Sequence, residues 1–277
     1  MRRGDAGVRA VPAAFRAVLV PFVVLATGAV LALYARPADT DDFFAWTIAP
    51  PFTAALLGAA YGGTLVFFGL SLRERAWSDV RLAVTAPLTL SSAMLAATLL
   101  HLDKFHLDDG GVPAVVAWIW LVVYVIVPPA LLAILVLGSR GPGEDPERVV
   151  RLPVAMRVVL VLMGVAGIGT GMTLFGWPSD LAEHWPWAIT PLTGRAVAAW
   201  LLGLGVAALH AAVEDDLRRI RSGLAALATM GGLGLIACAR YADDLEGGLG
   251  TGVLVAVLTL LLVLGCVAVV LERRTST

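Results

Sequence analysis

Apolar runs of about 20 residues recur along this chain, the length that crosses roughly 30 Å of hydrocarbon at 1.5 Å per residue. Eight are legible, at 15–35, 49–71, 81–101, 113–138, 154–175, 190–211, 221–240 and 250–271. Only 15% of the 277 residues are charged, against about a quarter in a soluble chain. Side chains that face lipid or other helices explain the deficit. The predicted fold class is all-α: a polytopic membrane protein with eight transmembrane helices.

A short motif occurs twice. Trp46-Thr47-Ile48-Ala49-Pro50 returns 141 residues later as Trp187-Ala188-Ile189-Thr190-Pro191, and each copy opens a long apolar run. The same offset pairs Arg16 with Arg157, Leu19 with Leu160, Gly28 with Gly169, Pro37 with Pro178 and Asp39 with Asp180. Further on, Arg81/Arg221 and Asp103/Asp243 pair at an offset of 140. The pattern predicts a tandem duplication, with a first four-helix repeat over 1–138, a linker over 139–152 and a second repeat over 153–277. Gly and Pro in Gly138-Ser139-Arg140-Gly141-Pro142-Gly143 mark the junction. Four spans per repeat send both copies into the membrane in the same direction. The repeats should therefore be parallel, related by a pseudo-two-fold axis along the membrane normal.

Orientation follows from the arginines. The N-terminal segment, the second, central and sixth connections and the tail carry Arg2, Arg3, Arg9, Arg73, Arg75, Arg140, Arg148, Arg151, Arg218, Arg219, Arg273 and Arg274. The alternate connections hold only Arg36, Lys104 and Arg240 and are acidic. Both termini are thus expected in the cytoplasm, in a cell (plasma) membrane. The first run resembles a signal peptide after Arg2, Arg3 and Arg9. It is longer than a usual h-region, lacks a clear cleavage site and aligns with the internal fifth run, so it reads as a retained helix. Cys238 and Cys266 fall towards opposite sides on this topology, which speaks against a disulfide.

The Trp-x-Ile-x-Pro motif has a structural reading. Trp favours the headgroup level, and Pro fits a first helical turn because its missing N–H costs nothing there. Trp46 and Trp187 are expected as outer anchors, with Ile48, Ile189, Pro50 and Pro191 shaping the helix starts and Trp177 and Trp185 thickening the belt. Its functional reading is a small outer vestibule. Beyond the motif, Ala55, Gly58 and Gly62 match Ala196, Ala199 and Gly203. Small residues at this spacing permit close backbone approach, so spans two and six are expected to meet near the pseudo-axis.

Several side chains could carry chemistry. Arg195 lies about one turn inside a span, where charge is costly. It either snorkels to outer headgroups or pairs inside the bundle, with Asp103 or Asp243 as partners, or binds an anionic group. His101, Asp103, His106 and His184 include imidazole and carboxylate donors that suit zinc and similar ions. The five-residue spacing of the first two histidines need not converge. His210 sits at the cytoplasmic end of span six and cannot face His101 across the membrane, which disfavours a bis-His haem. Thr85, Thr89 and Ser92 share one face of span three, either bonding helices together or lining a polar path for a substrate. Pro87 and Pro128-Pro129 should kink their helices. Glu214–Arg218 and Asp215–Arg219 are spaced as i,i+4 pairs on a solvated helical stub.

No phosphate-binding glycine loop, nucleophile elbow, HExxH or CxxC occurs, and no residue is singled out as catalytic. No Asp or Glu lies at mid-membrane, which argues against a proton- or sodium-coupled pump. No stretch suggests nucleic acid, and the cofactor is unknown. The leading expectation is a non-enzymatic protein that binds or passes a small solute at the repeat interface. The alternative is a scaffold packed on another membrane protein or on its own copies within the lipid bilayer. A weaker third is a metal-dependent membrane enzyme. A polar cavity at the interface favours the first.

Overall fold

The structure, a computed structural model, describes residues 7–275. Among the described residues ten α-helices follow in order: α1 Ala13–Val30, α2 Thr40–Phe43, α3 Pro51–Ser71, α4 Leu82–Leu100, α5 Gly111–Arg140, α6 Val154–Gly176, α7 Pro178–Ala182, α8 Pro191–Glu214, α9 Leu217–Arg240 and α10 Gly248–Thr275. No strand is present among the described residues. A π-helical turn, Leu31–Ala35, extends α1. All but the short α2 and α7 are long and apolar enough to cross a membrane, which makes eight candidate spans among the described residues. Pro87 and Pro128-Pro129 lie inside the unbroken α4 and α5.

The bundle has an enclosed centre and an apolar rim. About 61% and 56% of the apolar windows of α3 and α8 are buried, against 17% for α1 and 22% for α6 and α10. The rim helices instead show Val24, Leu25, Val115, Ile126, Leu162 and Val165 to the outside. Continuous exposed apolar surface of this extent suits hydrocarbon and not water. Helix α1 packs on α3, α3 on α9 and α9 on α10; α5 packs on α4, α4 on α8 and α8 on α6.

Small residues set the closest approaches. A Cβ on Gly164 or Gly171 of α6 would strike Leu209 or Leu202 of α8, and one on Gly231 of α9 would strike the backbone of α10 at Leu258 and Leu262. The stripe expected to join spans two and six serves other neighbours. Gly58 lies against Tyr34, Gly62 against Leu233 of α9 and Gly203 against Leu90 of α4. The rings of Tyr61 and Trp200 cross edge to face at 5.1 Å between α3 and α8, and such bulk at the centre diverts the glycine faces to the flanking helices. Nearby, the Tyr61 and Tyr124 hydroxyls hydrogen-bond at 3.1 Å, one donating and the other accepting.

Two loop layers close the ends. One carries the arginines. There, Trp77 N–H donates to the Arg9 carbonyl at 2.9 Å, Arg9 N–H to Glu144 at 3.0 Å and Leu217 N–H to Val150 at 2.8 Å. The non-helical stretch between α5 and α6 is therefore tied to the N-terminal segment and to α9. The acidic layer is pinned by His106 N–H donating to Ala45 at 3.0 Å and Glu246 N–H to Pro186 at 2.9 Å.

The two motif tryptophans are not the outward-facing anchors expected from the sequence. Trp46 and Trp187 are 2% and 1% exposed. Trp46 packs in a ring cluster with Phe44, Phe105 and Trp120, and Trp187 with Phe52 and Trp185. The loops fold back over the helix ends and cover both indoles. Exposure falls instead to Trp177 and Trp118. Ile48 is buried and held at both backbone atoms by the Thr40 hydroxyl; Ile189 is half-buried. Pro191 is the first residue of α8, whereas Pro50 precedes the first residue of α3, Pro51.

Candidate functional site

The best-formed polar site lies in the arginine-rich layer, where α8 turns into α9. Asp215 takes a left-handed conformation, φ 49°, and ends α8. Asp216 then caps α9, its carboxylate accepting from the Arg218 and Arg219 N–H groups at 2.9 and 3.3 Å. A side-chain acceptor at this position satisfies donors that the first turn leaves open. The continuous helical stub read from the sequence is thus broken, and its i,i+4 pairs are replaced. Glu214 bonds Arg219 at 2.9 Å, while Asp215 faces Arg151 and Arg157 at 3.7 and 3.9 Å.

Glu214 is 6% exposed and serves three donors. Besides Arg219, it pairs with Arg81 of the α3–α4 connection at 2.8 Å and with His210 Nε2 at 3.2 Å. Arg81 also reaches Asp145 at 2.8 Å. His210 Nδ1 lies 2.6 Å from the Thr85 hydroxyl of α4. A carboxylate only accepts, so a neutral His210 carries its hydrogen on Nε2 and accepts from Thr85 at Nδ1. A protonated ring would donate at both nitrogens, and the Thr85 O–H would swing to the Arg81 carbonyl, 3.3 Å away. Thr85, His210 and Glu214 thus form one hydrogen-bonded chain across α4 and α8. In the same layer, burial raises the pKa of Asp79, opposed by a hydrogen bond from Ser78. A further ion pair, Arg221 with Glu74, lies beside it.

Two adjoining pockets open here. One, of about 400 Å³, is lined by Arg81, Asp145, Arg148, His210, Val213, Glu214 and Arg219. The other, of about 350 Å³, is lined by Thr85, Val206, Leu209, His210 and Val213. Both lie along the contact between α4 and α8.

The residues singled out from sequence are dispersed. Thr85 is in the pocket. Thr89 bonds the Thr85 carbonyl within α4, and Ser92 is exposed. Arg195 lies at the acidic end of α8 and has no carboxylate partner among the described residues. Its Nε donates to the Phe175 carbonyl at 3.1 Å and its Nη1 meets His101 Nε2 at 2.6 Å. The expected partners point elsewhere. Asp103 bonds Lys104 at 3.0 Å, which lowers its pKa, and Asp243 is exposed. Burial first, and then the Arg195 charge, lower the pKa of His101.

The histidines do not gather for a metal. His106 is held by the Phe44 carbonyl and the Thr47 hydroxyl at 3.0 and 3.2 Å, and His184 is exposed on another loop. Among the described residues no three His, Cys, Asp or Glu side chains come together as a metal site. Of this donor set, His101, Asp103 and His106 are each held by a separate partner.

Sequence reading passed over Glu74, Arg81, Asp145 and Glu214 as a group, because the α3–α4 connection, the α5–α6 connection and the end of α8 supply them separately. One signal was available: Glu74 and Glu214 stand at the same 140-residue offset as Arg81 and Arg221. Compared with known proteins, the chain matches no family model, no curated protein and no solved structure.

Proposed function

We propose that this is an integral membrane protein of two parallel four-helix repeats that binds a small solute at their interface, with the arginine-rich layer and both termini in the cytoplasm of a plasma-membrane protein. The repeat reading is supported by paired contacts. The α3–α9 and α4–α8 packings exchange when the halves exchange. So do the ion pairs Glu74–Arg221 and Glu214–Arg81. Within each half, Trp77–Arg9 corresponds to Leu217–Val150, and His106–Ala45 to Glu246–Pro186. Arginine on one side of the spans supports the orientation.

The observation that carries the function is the position of the two pockets. Both lie between α4 of the first half and α8 of the second, share His210 and Val213, and join charged to apolar lining. Sites at repeat interfaces are characteristic of proteins that bind or move solutes. The test is thiol accessibility at Val213→Cys, in a chain with Cys238 and Cys266 replaced by alanine. In inside-out vesicles a solute panel should contain members that slow labelling. Labelling that no solute slows, with Val213→Cys reactive throughout, would overturn the reading.

A further inference from the structure

A pocket that is cationic at one end and apolar at the other selects an amphiphile. The polar part sets three guanidinium groups, Arg81, Arg148 and Arg219, against two carboxylates, Asp145 and Glu214. Arg81 engages both carboxylates and Arg219 shares Glu214. Arg148 donates to the Glu214 and Val213 carbonyls at 2.9 and 3.4 Å and has no carboxylate partner among the described residues. The site therefore holds one positive charge in excess, carried by an exposed guanidinium that suits phosphate or carboxylate. The adjoining part is different in character. Val206, Leu209 and Val213 follow one another along one side of α8, spanning roughly 10 Å at 1.5 Å per residue. Val213, at the outer edge, is 69% exposed on the side of the bundle.

We infer that the solute is an amphipathic anion, its phosphate or carboxylate head held by Arg148 beside His210 and its aliphatic chain lying along Val206, Leu209 and Val213. The inference rests on the reading of this pocket as the solute site. An anionic lipid in the leaflet beside the arginine-rich layer meets both halves at the depth where they occur, and a free phosphate meets only one.

The test is native mass spectrometry of the full chain, with dioleoyl phosphatidate, dioleoyl phosphatidylcholine and inorganic phosphate as probes. One phosphatidate should be retained per chain, with phosphatidylcholine bound at least about tenfold more weakly. Arg148→Gln removes the head contact and Leu209→Trp fills the chain groove. Each should weaken phosphatidate about tenfold while retaining the wild-type elution volume and helical circular dichroism. Equal retention of the two lipids by the wild type overturns the anionic head, and this arm needs no variant. Inorganic phosphate that competes equally well in wild type and Leu209→Trp identifies a free anion and overturns the chain groove. If phosphatidate does not bind but a neutral solute still shields Val213→Cys, the pocket reading survives and this inference fails. If nothing shields that cysteine, both fail.

Discussion

Arg81, just ahead of α4, and Glu214, the last residue of α8, meet at 2.8 Å although 133 positions separate them. The contact joins the first half of the chain to the second at the same point where Arg219 and His210 reach the carboxylate. A carboxylate this enclosed is sustained by its donors, since desolvation alone would expel the charge. Glu214→Gln takes from Arg219 its carboxylate partner and leaves Arg81 with Asp145 alone. It should cost about 3–5 kcal/mol, the usual penalty for stranding buried charge. Glu74→Gln should cost less, about 1–3 kcal/mol, because Arg221 is 47% exposed and water can replace part of the lost interaction. Thermal unfolding of both variants in one detergent gives the order, and an unchanged midpoint for Glu214→Gln would refute the role assigned to it.

Helix contacts give a second contrast. Gly231 lies where α9 touches α10, and an added Cβ would collide with the backbone at Leu258 and Leu262, which cannot rotate away. Gly231→Ala should destabilise by about 1–3 kcal/mol through overpacking. Gly69 of α3 faces open space, so Gly69→Ala should be neutral or gain up to about 1 kcal/mol of helix propensity. Matched melting curves check the sign difference, and equal shifts would mean that the α9–α10 contact is looser than described.

The spans were legible because length and hydropathy alone demand them. The internal pairing was not. Nothing in the order of the spans says that α3 lies on α9, or that Gly62 faces Leu233. Trp46 and Trp187 show the reason in miniature. An indole beside an acidic loop reads as an interfacial anchor, yet local loop folding decides that both are covered. Arg195 was legible as an unusual charge, but its partner was not, because an imidazole can neutralise a hydrogen-bond donor without neutralising its charge. The Glu214 site was the least legible. Asp215 and Asp216 look like the continuation of a charged helix, and only the left-handed backbone at Asp215 turns them into a connection.

Topology yields a third expectation. Ser139 lies near the arginine-rich end of α5, and Asp108 lies in the acidic connection before the same helix. In a chain lacking Cys238 and Cys266, Ser139→Cys and Asp108→Cys should label from opposite sides of sealed vesicles. Labelling of both from one side would contradict the eight-span arrangement.

The contact between Arg195 and His101 makes acid stability a reporter. His101 Nε2 accepts from Arg195, so the bonded form is the neutral ring, and a proton there would set two cations 2.6 Å apart. Burial and the guanidinium both hold the His101 pKa below 6.5. A depressed pKa means that the unfolded chain binds more protons in that window, so stability rises with pH through it. The contribution is complete above about pH 6.5 and is lost as the pH falls through the folded-state value. Arg195→Ala should cost about 1.5–3 kcal/mol at neutral pH, through its charged hydrogen bonds to Phe175 and His101. Arg36→Ala should cost no more than about 1 kcal/mol, because Arg36 and its partner Asp39 are both exposed. Arg195→Ala should also flatten the acid-side loss without abolishing it, since burial of His101 remains, whereas His101→Phe should abolish that component. Unfolding measured from pH 5 to 8 separates the cases, and wild type and His101→Phe sharing one acid-side profile would remove His101 as its origin.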